Sequence, residues 1–442
     1  MQTGLIFAVV LVFQLSCRGG WILCMTDETI IMPRIIREVS IQRCVAECLG
    51  LVDQKKLCNF SQVSGGVLGD KCPENEFFNA APSKKVLCSY SVWSLNALPF
   101  HETPIIKVCD FVLYIDLLRF NPGNSTISIA ESEYQQLKST LQYARVAGIK
   151  NILEIGGWGS ALLFSKVGSN ESIRDNFGAQ LKGLLSDYSF DGVFIKWLYP
   201  NCPENTDCGI YKLDDKVGVK NMMKDLYQIL KPSRKLLFYF ANLNSAFLTF
   251  SAGDIYSPIA DFVDYFVMDS FGQAGRWSMS IDVPTNLKKL KISFDFFKNK
   301  IKNNKDVVQK ILILLNVGCL TFELKTPNAH KIGSGFVQKS NLPPLTSFAD
   351  VCEAVRKNNF TVVKDITTQH YAYRDKVWYA FDDYQSLLEK ARFLKSIDGA
   401  GFGLFNTDMD DAKNRCGCGK MPFLRMIGEL LKGGECELDR CP

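Results

Sequence analysis

From residue 84 onward the chain alternates short apolar runs with segments of helical spacing, and this alternation constrains the fold more than any other feature. The apolar runs have the continuous hydrophobic character of strands that are buried on both faces. They occupy residues 85–91, 111–118, 151–156, 192–197, 235–241, 262–268, 310–317 and 401–405. Apolar residues recur at helical spacing in the intervals, at 133–147, 172–188, 216–230 and 384–396. Eight strands that alternate with helices predict an α/β fold of the (β/α)8 TIM barrel type.

Three parts of the chain lie outside this alternation. The interval 319–381 is too long for one βα unit, so it predicts a subdomain inserted before the last helix of a barrel that spans 84–430. Residues 20–83 hold five cysteines and little periodicity, which predicts a disulfide-stapled, Cys-rich N-terminal extension. Its Cys44 and Cys48 are four residues apart; a metal site is the alternative, but no histidine lies in this segment. The tail, 431–442, contains Cys436 and Cys441, which are expected to bridge locally.

Several features predict a secreted, extracellular protein. Residues 1–19 resemble a signal peptide, because the apolar run 4–15 is followed by small residues and is too short to span a bilayer. No later stretch reaches spanning length, so no membrane span is expected. Sixteen cysteines favour disulfides and an oxidising compartment. Four Asn-x-Ser/Thr sites predict N-glycosylation at Asn59, Asn124, Asn170 and Asn359.

Charge and histidine content argue against several classes of function. The net charge of +5 is small for 442 residues, so nucleic-acid binding is not expected. The three histidines match no triad or metal spacing, and there is no phosphate-binding Gly-rich loop or zinc ligand set. We therefore expect neither a metal nor a cofactor.

The most specific motif is the run 190–200, which reads Phe-Asp-Gly-Val-Phe-Ile-Lys-Trp-Leu-Tyr-Pro. It resembles the signature strand of the family 18 chitinases, F-D-G-x-D-x-D-W-E-Y-P. The framework is kept, but Phe194 and Lys196 stand where the family has its two inner aspartates. Leu198 stands where the family has its catalytic glutamate. Asp191 precedes the strand interior and is expected to keep a structural hydrogen-bonding role.

Four further blocks resemble the same family in the same order. They match its first strand, its S-x-G-G-W third strand, its P-Y-A-Y…W…Y-D-D segment and its last strand. The blocks are 86–94, 155–158, 371–383 and 401–411. The resemblance covers 84–430 and implies that the insertion at 319–381 is the α+β subdomain that such chitinases carry.

The resemblance implies that the chemistry of the family is lost. In the family, a glutamate protonates the leaving oxygen while the acetamido group of the substrate attacks, oriented by an aspartate and a sixth-strand tyrosine. Here Leu198 has no proton to donate, and Lys196 places a cation where an anion is needed. Ser270 replaces the tyrosine, and Asp269 is expected to point to the opposite face from Ser270. The resemblance therefore predicts an inactive homologue with no catalytic residue.

Sugar binding does not depend on the missing acid. The aromatic platforms of the family correspond to Trp93, Trp158, Trp277 and Phe405, and Tyr199 keeps its place beside the lost glutamate. The alternative is that these are ordinary barrel aromatics, because 12% of the chain is Phe, Trp or Tyr. The expected partner is chitin or a chito-oligosaccharide. The main rival is a protein-binding effector or growth-factor-like molecule with a protein receptor and no sugar; an active glycosidase is the third hypothesis.

Lys196 also leads to a structural prediction. Phe194, Lys196 and Leu198 are two residues apart, so they share the strand face that points into the barrel. An unpaired lysine there would be costly. Glu154 lies near the position where the family carries a serine, so we predict a buried ion pair between Glu154 and Lys196.

The resemblance also implies disulfide partners. It pairs Cys88 with Cys109 and Cys352 with Cys416, although Cys418 competes with Cys416. Cys202 and Cys208 are six residues apart and are expected to close a loop. The partners of the N-terminal cysteines and of Cys319 stay open.

Overall fold

The structure is a computed structural model, and it describes ten ranges of the chain. These are 21–26, 29–35, 84–91, 100–121, 126–201, 215–243, 254–272, 274–283, 285–364 and 370–432. Several sequence predictions lie outside these ranges. They concern most of the N-terminal extension, the C-terminal tail from 433 onward, and Trp93, Asn59, Asn124, Cys202 and Cys208. Within 21–35 the backbone forms an antiparallel hairpin of β1 (Trp21–Thr26) and β2 (Thr29–Ile35).

The strands after residue 84 belong to three sheets. In chain order they are β3 (Lys85–Ser91), β4 (Phe111–Ile115), β5 (Leu118–Asn121), β6 (Thr126–Ile129), β7 (Lys150–Gly157), β8 (Gly192–Trp197), β9 (Leu236–Phe240), β10 (Tyr265–Asp269), β11 (Ile311–Asn316), β12 (Cys319–Glu323), β13 (Leu345–Thr346), β14 (Thr361–Val363), β15 (His370–Arg374), β16 (Val377–Phe381) and β17 (Gly401–Phe405).

Eight of these strands close into a parallel barrel, which confirms the predicted (β/α)8 fold. The order around the barrel is β3-β4-β7-β8-β9-β10-β11-β17, and β17 pairs with β3 to complete the ring. Large apolar side chains fill the interior, including Phe111, Phe194, Phe238 and Leu314. The interior is therefore a packed core, as expected for a barrel of eight strands.

Helices flank the barrel, apart from α8, which belongs to the insertion described below. They are α1 (Ile105–Val108), α2 (Glu131–Val146), α3 (Ala161–Ser169), α4 (Glu171–Asp187), α5 (Asp215–Leu230), α6 (Leu287–Lys300), α7 (Lys305–Val308), α8 (Phe348–Lys357), α9 (Tyr384–Ser396) and α10 (Pro422–Leu431). Short 3-10 turns occur at Phe100–Glu102, Lys231–Ser233, Ser257–Phe262 and Thr407–Met409. Side-chain caps fix several of the starts: Asn170 accepts from Ile173 N at α4, and Asn286 accepts from Lys288 N at α6. In the part of the chain that is described, no helix is both long and apolar enough to cross a membrane.

The insertion between β11 and α9 is an α+β subdomain, as predicted. Its antiparallel sheet has the order β13-β12-β16-β15-β14, and α8 belongs to the same segment. It has a core of its own, in which Trp378 packs against Phe322 with ring centroids 5.7 Å apart.

Two disulfides join described parts of the chain. Cys88 on β3 is bonded to Cys109, and Cys352 on α8 is bonded to Cys416 after β17. Cys418 is also disulfide-bonded, so it does not compete for Cys352. Cys319 is buried and is a free thiol.

Candidate functional site

Strand β8 and the residue after it place in the barrel the three side chains that depart from the signature of the family 18 chitinases. Phe194 belongs to the interior cluster, Lys196 follows on the same face, and Leu198 packs against that cluster just past the end of the strand. Gly156 lies opposite Lys196 in the pairing of β7 with β8. A Cβ at Gly156 would lie 2.3 Å from the backbone oxygen of Lys196, and the residue has a φ of +116°. Only glycine fits there, so the close contact of the two strands depends on it.

Lys196 lies between two carboxylates at the centre of the barrel. Its Nζ is 3.4 Å from Oε2 of Glu154 and 3.9 Å from Oδ2 of Asp269. The side chains of Lys196 and Glu154 are each 10% exposed, and that of Asp269 is 15% exposed. The ring of Phe405 adds a cation–π contact, with its centroid 5.1 Å from Nζ. The structure therefore brings Glu154 and Lys196 together and adds a third charged group.

Burial and charge act in opposite directions on these groups. Burial alone would lower the pKa of Lys196, but the neighbouring carboxylates of Glu154 and Asp269 raise that pKa above its ordinary value. Burial raises the pKa of Glu154 and of Asp269, and the Lys196 ammonium only partly opposes this. The two carboxylates thus stabilise the Lys196 ammonium, while burial makes ionisation of Glu154 and of Asp269 less favourable.

Asp269, and not Ser270, faces this centre. Val267 and Phe271 both pack with the interior cluster, so the alternation of β10 turns Asp269 inward and Ser270 to the other face. Ser270 is fully buried there, and its backbone N–H donates to Leu314 O at 3.0 Å. Asp269 and Ser270 point to opposite faces as predicted, but the residue that faces the centre is Asp269, and not the Ser270 that stands in the position of the family's tyrosine.

The residues that flank β8 have structural contacts. Asp191 accepts a hydrogen bond from the backbone N–H of Asn151 at 2.9 Å and lies 3.3 Å from Lys150, which ties the start of β8 to β7. Tyr199 is half-buried, and its ring centroid is 6.3 Å from that of Phe240. Burial raises the pKa of the Tyr199 hydroxyl, and the charge of Asp269 adds to this effect. Tyr199 is therefore a neutral hydrogen-bonding group beside the charged centre.

Two tryptophans are exposed after barrel strands. Trp158 follows β7 and is 62% exposed, and Trp277 follows β10 and is 71% exposed. The Trp277 ring lies on Gly275, where an added Cβ would come within 2.3 Å of it. Arg276 anchors the same loop to the subdomain by donating to the carbonyl oxygens of Thr321 and Leu342. The Trp277 ring is therefore held in place although it is exposed.

Phe405 lies deeper than these tryptophans. It is half-buried at the end of β17, and its ring centroid is 4.6 Å from that of Phe271. Both rings pack against the interior cluster that contains Phe194, and the Lys196 ammonium contacts the ring of Phe405.

The histidines lie away from this centre. His370 is buried, and its Nδ1 is 2.8 Å from Oδ2 of Asp383, the residue that caps α9. His330 stacks on Tyr373 in the subdomain, and His101 packs on Tyr143. Within the described ranges, no group of three or more His, Cys, Asp or Glu residues is arranged to hold a metal ion.

The barrel and its altered centre define a class of protein. The family model for glycosyl hydrolases family 18 matches residues 85–410, which is most of the chain. The chain therefore belongs to this family.

Individual relatives are distant. The chain is 24% identical over 376 residues to probable chitinase 10 of Drosophila melanogaster. This alignment covers 79% of this chain and 16% of that protein. It is 24% identical over 326 residues to the oviduct-specific glycoprotein of Ovis aries, covering 69% of this chain and 57% of that protein. The chain thus spans less than two thirds of the length of either relative.

Solved structures share the fold. Catalytic domain 2 of the Group II chitinase of Ostrinia furnacalis, crystallised as a glutamate-to-leucine mutant in complex with (NAG)5, superposes with a TM-score of 0.69 at 21% identity. The match covers 80% of this chain and 98% of that domain. A chitinase of Cycas revoluta, a mutant in complex with (GlcNAc)4, matches with a TM-score of 0.66 at 19% identity and covers 79% of this chain and all of that one.

Proposed function

We propose that the protein binds chitin or another N-acetylglucosamine oligosaccharide and does not hydrolyse it. The observation that carries this proposal is the contrast between the barrel centre and its surroundings. The centre holds Leu198 and an ammonium shared by two carboxylates. The loops that follow β7 and β10 hold Trp158 and Trp277 as exposed rings.

The argument against hydrolysis is chemical. Cleavage of a glycoside requires a proton donor beside the leaving oxygen and an environment that stabilises positive charge on the sugar. Leu198 supplies no proton. The acids at the centre, Glu154 and Asp269, both lie within 3.9 Å of the Lys196 ammonium. A fixed cation there would destabilise the positive charge that develops on the sugar ring.

The argument for binding rests on the exposed rings. Sugar rings have apolar faces that pack on aromatic side chains, and such packing does not require the acid. The Ostrinia furnacalis domain offers a parallel, because a glutamate-to-leucine mutant of it was crystallised with (NAG)5. A leucine in place of a glutamate is therefore compatible with a bound oligosaccharide in that protein.

Calorimetric titration with a soluble chito-oligosaccharide tests the proposal. We expect Trp158→Ala and Trp277→Ala each to weaken binding about fivefold, because an aromatic packing contact is worth roughly 1 kcal/mol. Met279→Ala is the matched control, since Met279 lies on the same loop as Trp277 and is also exposed. Unchanged affinity in the double tryptophan variant would place sugar binding elsewhere on the chain. A chromogenic chito-oligosaccharide should give no turnover with the wild-type protein.

A protein-binding effector without sugar binding is the second candidate. The observation that favours it is the filling of the barrel centre by Lys196, Phe271 and Phe405. A glycan array and a chitin pull-down that are both negative would support this candidate over the first.

We also infer that the protein is extracellular and glycosylated. The disulfides Cys88–Cys109 and Cys352–Cys416 support an oxidising compartment. Asn170 and Asn359, two of the four expected glycosylation sites, are exposed. Expression in a secreting cell line should yield protein in the medium whose mass falls on treatment with an N-glycanase.

A further inference from the structure

The positive charge of the chain is concentrated in one short segment. Residues 287–308, which comprise α6, α7 and the turn between them, contain seven lysines and two aspartates, a net charge of 7 − 2 = +5. The rest of the chain then contains 51 − 7 = 44 basic and 46 − 2 = 44 acidic residues, which balance. The whole net charge of +5 therefore arises from this single helical segment.

Most of this charge faces away from the barrel. The inner face of α6 is fixed by buried Leu290, Phe294 and Phe297. Four lysines on the outer side of α6, in the following turn and at the start of α7 are exposed, and none forms an ion pair with a described carboxylate. They are Lys288, Lys291, Lys302 and Lys305. We call this surface the lysine face.

The other three lysines contribute less. Lys289 is paired with Asp282 at 2.8 Å, and Lys298 is paired with Asp295 at 2.9 Å. Lys300 is partly buried, and burial lowers its pKa. Two apolar side chains, Ile292 and Phe296, are exposed between the lysines. The Lys291 ammonium lies 5.4 Å from the centroid of the Phe393 ring, a cation–π contact. The lysine face therefore combines four ammonium groups that form no ion pair with a described carboxylate and a small apolar surface.

We propose that the lysine face binds a sulfated polysaccharide. Lys288 and Lys291 lie near the start of α6, and Lys302 and Lys305 lie beyond its end. Helix α6 is about 21 Å long for its 14 residues, so the extended face suits a linear polyanion. Exposed Phe296 offers a ring on which the apolar face of a sugar unit can pack. Because the remainder of the chain has no net charge, this segment accounts for the net positive charge that would attract a polyanion.

An anionic membrane fits the same surface less well. Asp295 is exposed directly beside Phe296, so insertion of that ring into a lipid interface would carry a carboxylate with it. The disulfides also favour an extracellular setting, where sulfated polysaccharides are the abundant polyanions. This proposal concerns the outside of the barrel and does not depend on sugar binding at Trp158 and Trp277.

Titration of the full chain with heparin at several salt concentrations tests the proposal. The test variant replaces all four lysines of the lysine face by glutamine, which preserves helix propensity. The control variant replaces four other exposed lysines on α2, α4 and α5 and so has the same net charge. These are Lys138, Lys182, Lys216 and Lys224.

We expect the test variant to bind heparin at least about tenfold more weakly and the control to bind as the wild type does. Each ammonium contact with the polyanion contributes about 0.7–0.9 to the slope of log Kd against log salt concentration. Loss of four contacts should therefore make this slope shallower by roughly 3 in the test variant. A version with arginine at all four positions should retain binding, because the charge is kept.

Three results would overturn the proposal. They are an equal loss in both glutamine variants, equal affinity for chemically desulfated heparin, and binding to phosphatidylserine vesicles but not to heparin. A measurement on the unmodified protein covers the case in which the test variant misfolds. Heparin should protect Lys288, Lys291, Lys302 and Lys305 from acetylation, as read by mass spectrometry, and should leave Lys138 and Lys224 reactive. Uniform reactivity would contradict the proposed face.

Discussion

Replacement of Lys196 by methionine should destabilise the barrel strongly, because it leaves two acids without their shared cation. Methionine is unbranched and apolar, so it can fill the space of the lysine stem and isolates the loss of charge. Glu154 and Asp269, 3.4 and 3.9 Å from the ammonium, would both remain nearly buried. No second basic group is in an ion pair with either of them among the described residues.

The size of the effect follows from these distances. At an effective dielectric constant of about 20, each contact contributes roughly 4–5 kcal/mol of attraction, and desolvation offsets much of it. Loss of one partner of a buried pair typically costs about 3–5 kcal/mol. The stranded carboxyl groups can bind protons, which limits the cost to that range.

Proton binding also gives the effect a pH dependence. Without Lys196, the pKa values of Glu154 and Asp269 rise further above their unfolded-state values than they already lie. The folded variant then binds more protons than the unfolded chain, so its free energy of unfolding falls as the pH rises above about 4. We therefore expect Lys196→Met to be more destabilising at about pH 8 than at about pH 5.

Urea unfolding at the two pH values measures both effects. Lys150→Met is the matched control, because Lys150 lies 3.3 Å from Asp191 but is 54% exposed; we expect it to cost less than about 1 kcal/mol. Adding Glu154→Gln and Asp269→Asn to Lys196→Met should recover most of the lost stability. The reasoning would be refuted if Lys196→Met cost no more than the control, or if the neutral triple variant were no more stable than the single one.

Two other predictions concern the lost acid and a buried aspartate. Leu198→Glu should not restore turnover of a chromogenic chito-oligosaccharide, because Lys196 would remain at the centre; clear turnover would show that the site is more competent than its charges suggest. Burial raises the pKa of Asp410 to about 7, although it accepts from the backbone N–H groups of Phe423 and Leu424. Between about pH 4 and pH 7, Asp410 holds its proton in the folded protein and loses it in the unfolded chain. The free energy of unfolding should therefore fall as the pH rises, by up to roughly 1.4 kcal/mol per pH unit. Asp410→Asn should remove this slope from urea unfolding curves; an unchanged slope would contradict the assignment.

The barrel strands were predictable where both faces of a strand are buried. The apolar runs 85–91, 192–197 and 401–405 coincide with β3, β8 and β17, because such strands leave a continuous hydrophobic signal. The run 111–118 was too long as a prediction. Its strand ends at Ile115, since Asp116 has a φ of +62°, and the residues from Leu118 onward form β5, which pairs with β6.

The strand alternation predicted that an insertion exists at 319–381, but it did not predict the strand pairing inside it. Its sheet is built from pairs that are distant in sequence, such as β12 with β16, and the order β13-β12-β16-β15-β14 is not the chain order. Apolar periodicity reports the burial of a segment, but it carries no information about which strand lies beside it. The resemblance to the family, and not the pattern, was the source of the α+β expectation.

The third charged group at the centre was missed, although the sequence contained a way to find it. A lysine that faces a barrel interior requires countercharge, so every acid at an inward position of a barrel strand is a candidate partner. Counting alternate residues along β10 from Tyr265 gives Val267 and then Asp269 on the inner face. The resemblance to the family instead put Ser270 at the position of the sixth-strand tyrosine, which led to the expectation that Asp269 faces away from the centre. The physical alternation of the strand was the stronger constraint, because a shift of one residue would have turned Val267 and Asp269 away from the barrel interior and left Lys196 without its second carboxylate.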